Sequence, residues 1–154
     1  MKEVSFENQF YQVDDAGRLY ISTVITEWTA VSALGVDTVI DLEGGLDECI
    51  PTSPDECLYV YFPIYDEHLP SLVRLEAIGS LGAHLIRGGY RVLCHCGMGF
   101  NRSALVAGVI LWKLGMNGPE VVERIRERRP QAGRTPRSRE RARGSHCRRS
   151  RIAF

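Results

Sequence analysis

The 154-residue chain has no long hydrophobic run: its longest near-apolar stretch, residues 104–112, is about half the length of a membrane span, so no membrane association is expected. Its first apolar stretch is short and carries acids, unlike a secretory leader. The 5 cysteines are odd in number and unevenly spaced, which argues against a disulfide framework and for free thiols in a reducing cytoplasm. Zinc-like ligand pairs are missing too. Cys49 and Cys57 stand alone, and in an extended Cys94-His95-Cys96 the histidine points away from both thiols. No internal repeat is visible. Net charge is also absent, with 19 basic against 19 acidic side chains, but the balance hides a split. Residues 1–130 carry 11 basic against 18 acidic groups, net −7, and residues 131–154 carry 8 against 1, net +7. We read residues 1–130 as one acidic domain, long enough to bury a core. Residues 131–154 read as an irregular, flexible basic tail. Such a tail could hold nucleic acid. A solvated tail is the simpler account, so no nucleic-acid partner is expected, and a monomer is the default.

Strand-like and helix-like segments alternate through residues 1–130. Residues 18–22, 36–42, 58–62 and 91–94 are β-rich and bounded by glycine or proline. Residues 26–34, 71–87, 102–114 and 118–129 suit helices; Leu72, Leu75, Ile78, Leu81 and Leu85 recur at helical spacing, and Pro119 sits in a first turn. Trp28 and Trp112 fall in helical patterns and are expected to pack against the core. The alternation predicts an α/β fold: a central, mostly parallel sheet of four to five strands with helices on both faces. Ligands of such sheets bind at the carboxyl ends of the strands.

One of those ends carries His95-Cys96-Gly97-Met98-Gly99-Phe100-Asn101-Arg102-Ser103. A loop between strand and helix leaves backbone N–H groups unpaired at the helix start, and glycines let it curl around an anion. The helix dipole favours negative charge there, and Arg102 can grip two phosphate oxygens with one planar fork. The same field stabilises a thiolate; helix N-termini and nearby cations lower thiol pKa values to about 3.5–7.5. Cys96 can then attack phosphorus and form a phosphocysteine. Cradle and arginine supply the positive charge, so no metal or other cofactor is expected. The leaving oxygen needs a proton, and Asp66 follows the strand at residues 58–62 on the same strand-end side. Glu67 is the near alternative, and a turn-forming or capping role is the plain reading of Asp66.

His95-Cys96-x-x-Gly99-x-x-Arg102-Ser103 resembles the active-site motif of the cysteine-dependent protein tyrosine phosphatases, and Pro63-Ile64-x-Asp66 resembles the general-acid loop of their dual-specificity branch. Order and spacing match over residues 18–130. The resemblance implies hydrolysis of phosphotyrosine, phosphoserine and phosphothreonine in phosphorylated proteins. Asp66 would then be the acid, Cys96 the nucleophile and Arg102 the phosphate clamp. Gly97, Met98, Gly99, Phe100 and Asn101 would line the cradle, with Asn101 also bracing it. Ser103 would hydrogen-bond the thiolate, and His95 would orient the loop from below. Met98 and Phe100 are not basic, which points away from highly phosphorylated inositol lipids. Gly99-Phe100-Asn101-Arg102 also resembles the RNA 5′-triphosphatase branch, whose members generally lack the aspartate acid. A catalytically inactive phosphate-binding module is a third reading; it would have no need of Cys96 or Asp66. After Pro130 the family pattern has a further short helical segment, where this chain has an arginine-rich, proline-broken stretch.

Overall fold

The computed structural model describes residues 9–66, 68–97 and 101–129. The expected tail at residues 131–154 lies outside them. Five strands form one sheet in the order β1-β2-β5-β3-β4. These are β1 Phe10–Gln12, β2 Leu19–Ser22, β3 Thr38–Asp41, β4 Leu58–Tyr61 and β5 Val92–His95. β2, β5, β3 and β4 run parallel, and β1 pairs antiparallel with β2 as an edge. The four parallel strands and all four expected helices are present, namely α1 Trp28–Ala33, α2 Leu72–Arg87, α3 Asn101–Lys113 and α4 Gly118–Arg128. The sequence reading missed β1, a three-residue strand held by its pairing with β2.

Alternation along the strands sends successive side chains to opposite faces, and each face meets helices. Leu19, Ile21, Ile40, Leu42, Val92 and Cys94 pack with α2, α3 and α4 in the larger core. Tyr20, Val39 and Leu93 point the other way and pack with Val31, Trp28 and Leu34 of the α1 region. The α2–α3 contact is close because Gly79 and Gly82 of α2 meet Val109 and Ile110 of α3 with no Cβ between them. Asn117 caps α4 with a reciprocal Glu120 contact, and Glu120 N–H donates to Asn117 Oδ1 at 3.0 Å. Trp112 departs from expectation: it is 54% exposed, with Lys113 Nζ 4.9 Å above its ring. No helix among the described residues is long and apolar enough to cross a membrane.

Candidate active site

β5 is the central strand, buried along its whole length, and its carboxyl end delivers His95 and then Cys96. Cys94 and Cys96 face the larger core, and His95 faces the α1 side of the sheet. Cys96 is almost wholly buried, and its Sγ lies 3.6 Å from Ser103 Oγ in the first turn of α3. The chain returns as α3 only five residues after Cys96, so the unpaired N–H groups of that helix start beside the sulfur. Met98, Gly99 and Phe100, between thiol and helix, lie outside the described residues.

Arg102 is held from three directions. Its Nη2 donates to Glu43 Oε2 at 2.9 Å, and its Nη1 lies 3.3 Å from Glu43 Oε1. Nη1 also donates to the Ile64 carbonyl at 3.2 Å and lies 3.4 Å from the Leu42 carbonyl. The Gly97 N–H donates to Glu43 Oε2 as well, so one carboxylate ties the loop's second residue to its arginine. Burial works against the guanidinium charge. The Glu43 hydrogen bond, with the charges of Cys96, Glu43 and Asp66, outweighs it and raises the Arg102 pKa. Asp66 is exposed in the turn after β4, two residues beyond the Ile64 carbonyl that Arg102 holds. Thiol, guanidinium and aspartate are thus gathered at one end of the sheet. Asn101 starts α3, and its buried Oδ1 finds no hydrogen-bond partner among the described residues.

On the α1 side, His95 Nε2 lies 2.7 Å from Asp47 Oδ2 and 3.4 Å from Asp41 Oδ1. Tyr59 sits between the two carboxylates; the Trp28 indole N–H donates to the Glu48 carbonyl at 2.7 Å, and its ring lies tilted against that of Tyr59 with centroids 6.2 Å apart. Asp41, Asp47 and His95 each offer a ligand-type atom within 4.8 Å of the others. The His95–Asp47 contact and those of the Tyr59 hydroxyl with both carboxylates have hydrogen-bond lengths, so the arrangement is a hydrogen-bonded network.

Neither a family model nor a curated protein matches the chain. Solved structures do. Tk-PTP in its active form is 27% identical, over 82% of this chain and 88% of that one, with a TM-score of 0.65. DUSP15 is 19% identical over 84% and 82%, with a TM-score of 0.69, and human DUSP28 is 19% identical over 82% and 85%, with 0.68. The fold is dual-specificity phosphatase-like. In this phosphatase-like frame, sequence reasoning missed Glu43, Asp41, Asp47 and Tyr59. One signal was available. Asp41 ends β3 and Glu43 follows it, and β3 is a strand whose carboxyl end faces the same side as Cys96.

Proposed function

We propose that this protein is a metal-independent phosphatase that hydrolyses phosphotyrosine, phosphoserine and phosphothreonine in proteins, working in a reducing cytoplasm. The observation that carries the reading is the Cys96 thiol set 3.6 Å from the Ser103 hydroxyl at the central strand end, with the Glu43-held Arg102 beside it. The Cys96 thiolate attacks phosphorus, forming a P–S bond as the ester P–O bond breaks. Asp66 gives its proton to the leaving oxygen. Water then attacks the phosphocysteine and surrenders a proton to Asp66. The P–S bond breaks, and the Ser103 hydroxyl hydrogen-bonds the departing thiolate. Arg102 and the α3 N-terminus stabilise the charge on the phosphoryl oxygens throughout, which is the work a metal does at other phosphoryl-transfer sites.

Hydrolysis of an aryl phosphate tests this. Cys96→Ser is expected to abolish turnover, Asp66→Asn to lower it by roughly 10²–10⁴-fold, and EDTA to leave it unchanged. Wild-type turnover in Cys96→Ser would falsify the mechanism. Phosphopeptides presented beside 5′-triphosphate RNA distinguish the protein phosphatase from the RNA-directed alternative, and the aspartate beside Arg102 favours the former.

A further inference from the structure

The network on the α1 side contains one proton fewer than its contacts require. The Tyr59 hydroxyl lies 2.5 Å from Asp41 Oδ2 and 2.9 Å from Asp47 Oδ2, and it accepts the Asp47 N–H at 3.1 Å. A phenol carries one proton and serves one of the two carboxylates. The other would set lone pair against lone pair at hydrogen-bond distance, where little water reaches to screen them. A proton on one carboxyl removes the conflict. Asp47 Oδ2 already receives His95 Nε2 at 2.7 Å and the Tyr59 hydroxyl, which suits a carboxylate. Asp41 is 0% exposed; its Oδ1 accepts the Glu43 N–H at 2.9 Å, with His95 Nε2 at 3.4 Å.

We propose that Asp41 is a neutral carboxylic acid at physiological pH and a positioning residue. It donates to Tyr59, Tyr59 donates to Asp47, and Asp47 receives His95. The Asp41–Tyr59 and Tyr59–Asp47 contacts then each carry one proton. The groups facing Asp41 are Tyr59 from β4, His95 from β5, and Asp47 and Glu43 from the segment after β3, with the Glu43 carboxylate turned to Arg102. Burial raises the Asp41 pKa against the opposing pull of the Tyr59 and Glu43 hydrogen bonds and of His95. Burial and the Asp41 contact also raise Tyr59, so the phenol keeps its proton. At one end the chain fixes the backbone of Glu43, whose carboxylate holds Gly97 and Arg102; at the other it fixes His95, next to Cys96. This positioning role rests on the phosphatase reading, and the protonation of Asp41 does not.

An acid that is protonated when folded and ionised when unfolded takes up a proton on folding. Its stabilisation is full below the ordinary carboxylate pKa and is lost as pH rises through the folded-state value. Asparagine has the same shape, can accept from Glu43 N–H and donate to Tyr59, and needs no proton. In urea unfolding of the full chain, the folding constant of wild type relative to Asp41→Asn should fall about tenfold per pH unit above about pH 4, until Asp41 ionises. A ratio independent of pH overturns the proposal, as does failure of Asp41→Asn to fold. Difference infrared spectra at pH 7 should show a carboxylic-acid carbonyl band that Asp41→Asn lacks; its absence from wild type is equally fatal. For the positioning role, Tyr59→Phe should lower kcat on an aryl phosphate roughly 10- to 100-fold, as expected for buried carboxyls left without a partner. The wild-type decline of kcat where Asp41 ionises should be missing in Asp41→Asn. Unchanged kcat in Tyr59→Phe refutes the positioning role. A wild type inactive on every phosphate ester faults the phosphatase reading instead, and the unfolding ratio and infrared band still decide on Asp41.

Discussion

On the proposed phosphatase reading, Glu43 and Arg102 set the chemistry at the scale of single residues. A guanidinium on a long stem loses rotamer freedom when it clamps an anion, and a partner that fixes it in advance lowers that cost. Glu43 does this with both oxygens, at 2.9 and 3.3 Å, while it also holds the Gly97 N–H. Glu43→Gln keeps the shape and loses the charge. We expect kcat/KM on an aryl phosphate to fall by roughly 10- to 100-fold, the size of a lost charged hydrogen bond. Arg102 keeps its own charge in this variant, so a steady-state comparison that finds no loss would show that the arginine needs no such support. Most residues legible in the sequence here, Asp66 apart, were those close to one another along the chain. Cys96, Arg102 and Ser103 share one loop and one helix start, so their spacing, set between a strand and a helix, reports their meeting. Glu43 meets Arg102 across 59 positions of chain, and only the pairing of β3 with β5 brings them together.

Elements place these residues, and the α2–α3 contact anchors the helix that carries Arg102 and Ser103. Gly79 lies directly against Val109, a β-branched residue with little rotamer freedom to yield. Gly79→Ala gains about 1 kcal/mol of helix propensity and incurs about 1–3 kcal/mol of overpacking. The net expectation is a lower urea midpoint; a raised midpoint would show that the two helices can separate without loss. Strands and helices of the parallel part were readable because each has its own period and its own glycine or proline boundary. β1 was not readable: three half-buried residues have no periodicity to detect, and the strand exists because β2 offers it an edge. Trp112 misled for a related reason, since a helical pattern gives spacing but not which flank meets the core.

For the whole molecule, the sheet keeps two kinds of chemistry apart. One face brings the Cys96 thiol to Ser103 and the apolar packing of α2, α3 and α4. The other holds the Asp41, Tyr59, Asp47 and His95 chain, with Trp28 against the Tyr59 ring. Alternation along β5 is what divides them, since His95 and Cys96 are neighbours pointing opposite ways. The polar face was silent in the sequence because its members come from three strands and the segment after β3, and single carboxylates scattered along a chain look like solvated surface. The most direct test of the whole account is to trap the covalent intermediate. Acid-quenched turnover of an aryl phosphate by the Asp66→Asn variant, followed by peptide mass spectrometry, should find one phosphoryl group on the peptide containing Cys96 and none in Cys96→Ser. Turnover with no such adduct, or with the phosphoryl group on another residue, would contradict it.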